Sequence, residues 1–361
     1  MPKSAKTLTV SPGILSAMNK FCLWIRTASG PQIGFGHLRR TMVLARFLQD
    51  CCLPLFLIDP EDRWSREQLA DQGMAFVYEP LDSVWSRLPE PKAILVDTRQ
   101  TEGLAGFIDQ AKKRHLTVAS IHDLGLDPLS SDIVIDGSIA PDLSNFPVRQ
   151  TTFYTGTSYM ILDPVYRLLH QQDKRIGEHV RTVFINLGGG NSGVFFKKIL
   201  DGLKLWNHKI EVFAVSGFYS WGQEDFSRKN WPPLHIKWIS DHVGTHCFQA
   251  DIAITAGGMA AYEALCTGTP LMALSYDSYQ QIAIRALAEK DACIDLGAGG
   301  HLSTSELPGI LTRFESDQVK RHSFSLKGRQ IVDGGGLERV ARILRETIGA
   351  RSGGSIMEGV G

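Results

Sequence analysis

No apolar run in this chain reaches the roughly 18 residues that a membrane-spanning helix needs. There is also no excess of charge. Lys and Arg number 38 and Asp and Glu number 38, so the formal net charge is zero. That balance gives no support to a nucleic-acid or other polyanionic partner. The six cysteines (Cys22, Cys51, Cys52, Cys247, Cys266 and Cys293) form no C-x-x-C pair and sit mostly among apolar neighbours. They read as reduced core residues of a cytoplasmic protein, neither a disulfide framework nor a metal site. A serine nucleophile elbow and an H-E-x-x-H zinc motif are missing too. His115, His170, His235 and His246 are dispersed, without ligand spacing. Residues 1–17 are weakly basic and hold only the short apolar patch Gly13-Ile14-Leu15. They lack the apolar segment of a signal peptide and read as a disordered extension.

What the 361 residues do contain is an alternation of short apolar runs with amphipathic stretches. Phe21–Ile25, Leu53–Ile58, Phe76–Tyr78, Ala93–Asp97, Leu116–Ile121 and Ile133–Asp136 read as strands, and Gly156–Leu162 as the last strand of the first half. Helices fall between them. Continuous apolar strands alternating with helices predict a mainly parallel sheet covered on both faces. The rhythm stops over 137–180, where Pro141, Pro147 and Pro164 cluster. It restarts at Val183–Leu187, Ile210–Val215, Ile236–Trp238, Ile252–Ile254, Leu271–Ala273 and Ala292–Asp295. The length exceeds one ordinary core. The expected architecture is therefore α/β, with two doubly wound Rossmann-like domains facing a cleft. They are placed at 18–163 and 181–348, with a linker at 164–180 and a flexible tail at 349–361. Ligands of such folds lie at the carboxyl ends of the strands.

Glycine-rich turns mark where that cleft carries chemistry. In Ala256-Gly257-Gly258-Met259-Ala260-Ala261-Tyr262-Glu263 an apolar strand runs through a glycine pair into a helix. The glycines admit a ligand close to the backbone, and the first helical N–H groups point at it, which suits a diphosphate. Glu263, just over one turn on, could accept hydrogen bonds from a ribose diol. Gly188-Gly189-Gly190-Asn191-Ser192 forms a second such nest. The first strand leads into Ile33-Gly34-Phe35-Gly36-His37, followed by Arg39 and Arg40, either of which could face phosphate. A histidine at that helix start can take a proton from water or a sugar hydroxyl. Asp97 ends a strand in the same half, and Gln280 can offer its amide to a hydroxyl. Each turn alone is equally compatible with an ordinary strand-to-helix connection.

Taken together the motifs resemble the nucleotide-sugar hydrolases of pseudaminic acid biosynthesis and their spore-coat polysaccharide relatives, the PseG/SpsG family. That family has a GT-B fold like the MurG-type glycosyltransferases. Four places carry the resemblance: Ile33 to Arg40, the strand into Gly188–Asn191, Ala256 to Glu263 with Gly268-Thr269-Pro270 and Gln280, and Asp333-Gly334-Gly335-Gly336-Leu337-Glu338-Arg339-Val340. It implies a UDP-sugar between the domains. Gly257, Gly258, Met259, Glu263 and Gln280 would hold the uridine and diphosphate, and the loop from Gly34 through Gly36 to His37 would face the sugar; Gly189, Gly190, Asn191 and Arg40 are further candidates for contact with the substrate. His37 would be the catalytic base, with Asp97 assisting. Water would attack the anomeric carbon and UDP would leave, in surface-glycan synthesis. The helix N-termini can take the diphosphate charge, so no metal or cofactor is implied, nor a membrane anchor. The sequence departs from the family pattern where its first strand continues Arg26-Thr27-Ala28-Ser29, without a carboxylate, and where Asp97-Thr98-Arg99 lacks a tyrosine. Transfer to an acceptor sugar and binding without turnover are the competing readings.

Overall fold

A computed structural model describes residues 20–122, 129–143, 151–189, 193–215 and 232–353. The extension at 1–17 and the end of the tail lie outside the described residues. Two parallel sheets account for the strands. The first contains β1 (Phe21–Thr27), β2 (Cys52–Ile58), β3 (Phe76–Tyr78), β4 (Ala93–Asp97), β5 (Thr117–His122), β6 (Ile133–Asp136) and β7 (Thr152–Thr155), in the order β3-β2-β1-β4-β5-β6-β7. The second contains β8 (Thr182–Asn186), β9 (Ile210–Val215), β10 (Leu234–Ile239), β11 (Ile252–Ala256), β12 (Leu271–Ser275) and β13 (Cys293–Ala298), in the order β10-β9-β8-β11-β12-β13.

Both orders reverse direction next to their first strand. In the first sheet β1 pairs with β2 on one side and β4 on the other. In the second β8 pairs with β9 and β11. The loops after these paired strands leave toward opposite faces and open a crevice at the carboxyl edge. The residues after β1, β4, β8 and β11 are those singled out in the sequence.

Burial explains the continuous apolar strands. Leu23 and Ile25 of β1 pack in one core with Leu38 and Leu44 of the helix Gly36–Phe47. Trp24 faces the other side, with Ile94, Val96 and Phe107. The strand is thus buried on both faces, as helix-covered parallel strands are. Pro54 lies in the part of β2 that β3 does not reach, since that pairing begins at Phe56. A residue without an N–H is tolerated there.

The last helix of each half crosses to the other half. The helix Pro164–His170, within the expected linker, packs on the helix Met259–Thr267 of the second half. The last helix, Gly336–Gly353, returns to the first: Leu337, Val340, Ala341, Leu344 and Ile348 lie in the core built on β1. The expected strand over Gly156–Leu162 is corrected. β7 stops at Thr155, Gly156 adopts φ +96°, and Thr157–Tyr159 form a 3-10 turn. That left-handed step turns the chain away from the sheet edge.

Asp333 fastens this return. It accepts from the Gly335 N–H at 2.9 Å and pairs with Arg339 through both carboxyl oxygens. Arg339 holds its carboxyl down to about 2. Gly336 then passes against the Met160 backbone so closely that a Cβ would overlap the carbonyl oxygen. Gly336→Ala should cost about 1–3 kcal/mol, the usual range for forced overpacking. In a thermal melt this would lower Tm by roughly 1–4 °C. An unchanged Tm would mean that the helix is not held at this point.

Candidate functional site

The centre of the site is a carboxylate with no exposure to solvent. Asp97 closes β4 and is 0% exposed. Its Oδ2 accepts from Arg40 Nε at 2.6 Å, and its Oδ1 from Arg40 Nη2 at 2.6 Å, a two-point guanidinium contact. His37 Nδ1 lies 2.7 Å from the same Oδ1. Burial alone would push the Asp97 pKa up; Arg40 and His37 outweigh it and hold the carboxyl below its ordinary value. An ionised carboxylate only accepts, so His37 donates from Nδ1 and the neutral ring keeps its lone pair on Nε2. The 3.0 Å approach of Arg40 Nη2 to Nδ1 is then two donors converging on one oxygen, and not a further hydrogen bond.

Local structure delivers these groups. Gly30 and Gly34 exchange backbone hydrogen bonds of 3.2 and 2.7 Å, and Gly34 has φ +80°. The chain enters the helix at Gly36, with His37 and Arg40 one turn apart on its buried face. Arg40 turns its Nε and Nη2 to Asp97. Arg39 is exposed.

The glycine turns of the second half come up against this loop. A Cβ on Gly189 would meet Phe35 N at 3.0 Å and Gly34 Cα at 3.2 Å. A Cβ on Gly36 would meet Met259 Sδ at 3.4 Å. The N-termini of the helices Gly36–Phe47 and Met259–Thr267 thus face each other across the crevice. The two glycines of the pair differ. Gly257 is filled from its own side, with Ile284 Cδ1 at 2.8 Å and Gln280 Cβ at 3.1 Å from a built Cβ, so it serves packing. Gly258 has nothing within 4 Å and leaves the start of the helix approachable. No side chain caps that helix. Gln280 turns its Oε1 back to the Tyr276 N–H at 3.1 Å, which fixes its amide plane. Gly190 and Asn191 lie outside the described residues.

Glu263 is only 4% exposed. Burial raises its pKa, Arg39 and Tyr166 oppose the rise, and Asp163 adds to it. The Tyr166 hydroxyl is itself buried and lies close enough to Glu263 to favour its ionised form. Sequence reasoning missed Tyr166, which follows the helix-capping Asp163 without any motif. It also missed Tyr262, whose hydroxyl accepts from the Ile139 N–H at 3.1 Å and joins the two halves. Arg99 meets Asp277 across the same crevice at 3.5 Å.

A scan against models of known families finds no match. A single relative is more informative. The spore coat polysaccharide biosynthesis protein SpsG of Bacillus subtilis is 30% identical over 330 residues, which cover 88% of this chain and 96% of that protein. The chain belongs to the SpsG family. Its fold is GT-B. Acinetobacter baumannii MurG superposes with a TM-score of 0.65 at 12% identity, over 90% of this SpsG-family chain and 99% of MurG. The calicheamicin glycosyltransferase CalG4 gives 0.62 at 12%, over 93% and 100%. Arabidopsis thaliana UGT89C1 in complex with UDP gives 0.60 at 13%, over 91% and 100%. Among the described residues no helix is long and apolar enough to cross a membrane.

The two acids of the site respond oppositely to pH. Asp97, with a lowered folded-state pKa, stabilises the fold above the unfolded value of about 3.9 and loses that contribution as pH falls. Glu263, with a raised one, contributes fully below about 4.3 and loses its contribution as pH rises through the raised value. Glu263→Gln should therefore gain Tm relative to the parent as pH goes from 4 to 8. A Tm difference that stays flat over that range would place the Glu263 carboxyl in water.

Proposed function

We propose that the protein is a nucleotide-sugar hydrolase of surface-glycan synthesis. It would take a UDP-sugar, add water at the anomeric carbon and release UDP and the free sugar. The observation that carries this reading is the convergence of two helix N-termini on the crevice that also holds the His37–Asp97 pair. Helix N-termini are suited to a diphosphate, and a carboxylate-held imidazole is suited to taking a proton. Membership of the SpsG family supports glycan synthesis, and the UDP complex of UGT89C1 supports the nucleotide.

In the proposed reaction, backbone N–H groups from Gly258 to Ala260 meet the diphosphate. Glu263 accepts from the ribose hydroxyls and Gln280 steadies the nucleotide side. The water oxygen attacks the anomeric carbon as its bond to the β-phosphate oxygen breaks. The water proton passes to His37 Nε2, and the negative charge left on UDP is met by the helix ends. Asp97 holds the ring by Nδ1 and stabilises the imidazolium that forms, while Arg40 keeps Asp97 ionised. His37 is 4% exposed and Phe35 lies against Gly189. Substrate entry therefore requires the two halves to part at that contact.

The same geometry serves a glycosyltransferase in which an acceptor hydroxyl replaces water, and the MurG and CalG4 folds favour that second reading. Incubation with UDP- and CMP-sugars, without and then with acceptor sugars, separates them. Nucleotide release without acceptor supports the hydrolase, release only with acceptor supports the transferase, and binding without turnover would remove both. His37→Ala should abolish turnover and leave UDP affinity within a few fold; a large loss of UDP binding would show that His37 holds the nucleotide instead. Glu263→Ala should weaken UDP binding by about 1–3 kcal/mol, the range for losing a charged hydrogen-bond partner. Unchanged affinity would remove Glu263 from the site.

A further inference from the structure

Two arginines follow His37 on the helix Gly36–Phe47, and only one of them is balanced. Arg40 is buried and holds Asp97 through two donors. Arg39 is exposed, and among the described residues its side chain forms no hydrogen bond and no ion pair. It is also poorly placed for a free cation. It is the fourth residue of the helix, close to the end whose dipole disfavours positive charge, and it stands next to Arg40.

The helix face that Arg39 occupies is turned to the crevice. Arg39 lies three residues after Gly36, so the two share a face. Gly36 is where that face meets the second half. A Cβ there would lie 3.4 Å from the sulfur of Met259, the first residue of the helix Met259–Thr267. The charge of Arg39 is felt on that side. It favours the ionised forms of Glu263, on the same helix, and of Tyr166, on the helix packed against it.

Glu263 does not neutralise this cation. The two form no ion pair, and burial opposes the ionisation of the carboxyl. The start of the helix Met259–Thr267 is open at Gly258 and carries no side-chain cap. The crevice thus gathers positive charge from two helix ends and one guanidinium, against a single buried carboxylate. An anion with more than one charge would balance it.

We propose that Arg39 is a diphosphate-binding residue, reaching from the first half to the phosphates of a nucleotide seated on the helix Met259–Thr267. Its planar guanidinium offers paired donors to phosphate oxygens that the backbone N–H groups of the helix start meet from the other side. The proposal deepens the nucleotide reading of the crevice and rests on it. It also divides the labour: Arg39 reads the phosphates, and the nucleoside is left to the second half.

The test compares UDP with uridine, titrated into the full chain by calorimetry, for the parent, Arg39→Gln, Arg39→Lys and Arg46→Gln. Arg46 is an exposed arginine two turns further along the same helix, bonded to Gln72. The parent should bind UDP more tightly than uridine. Arg39→Gln should weaken UDP at least about tenfold, the loss of a charged hydrogen-bond partner, and leave uridine unchanged. Arg39→Lys should fall between, since it keeps the charge and loses the fork. Arg46→Gln should bind UDP as the parent does, and circular dichroism should be the same for all four. A UDP preference that survives Arg39→Gln would overturn the proposal and leave the nucleotide reading standing. An equal loss of UDP and uridine in Arg39→Gln, or a loss of UDP as large in Arg46→Gln, would also overturn it. A parent that binds neither ligand, or both alike, would remove the nucleotide reading and the role of Arg39 with it.

Discussion

A fully buried carboxylate cannot stand in a protein interior without partners, and Asp97 has two. Removing one member of a buried ion pair typically costs about 3–5 kcal/mol, because the other is left uncompensated. Asp97 therefore ties the end of β4 to the first turn of the helix Gly36–Phe47. Arg40 supplies the charge that keeps the carboxyl ionised, and the ionised carboxyl sets which His37 nitrogen carries the proton. Fold and chemistry meet at this contact. The strand order brings β4 beside β1, and the loop after β1 must then deliver His37 and Arg40 onto the same oxygen atoms.

The crevice is assembled from backbone more than from side chains. Gly189 lets Phe35 approach, Gly36 lets Met259 approach, and Gly257 lets the helix Ser278–Glu289 close in. Gly258 is the one of these that stays open. A ligand at that helix start would meet N–H groups and the helix dipole without help from a hydroxyl side chain. The exchange of the helices Pro164–His170 and Gly336–Gly353 between halves adds crossing connections.

Much of this was legible in the residues. Continuous apolar strands and glycine punctuation predicted two parallel sheets, and the turns at Gly34–Gly36 and Gly257–Gly258 fall at the ends of β1 and β11. The structure brings His37 and Asp97 within 2.7 Å, although they are 60 residues apart. What the sequence could not distinguish was the facing of neighbours on one helix. Arg39 and Arg40 are equal in composition, and only the position of β4 decides that Arg40 turns inward. Gly257 and Gly258 are likewise alike as letters, and only Ile284 separates their roles. The exchanged helices were misplaced for a similar reason, because a periodic apolar face does not say which core receives it. Tyr166 and Tyr262 carry no pattern at all; their positions follow from packing between distant segments.

The most direct test is a crystal structure of the protein with UDP bound. The account places the diphosphate oxygens within hydrogen-bonding reach of the backbone N–H groups at Gly258 to Ala260, the ribose hydroxyls on Glu263, and His37 on the sugar side of the β-phosphate. UDP lodged away from that helix start, for instance against Arg40 freed from Asp97, would contradict it.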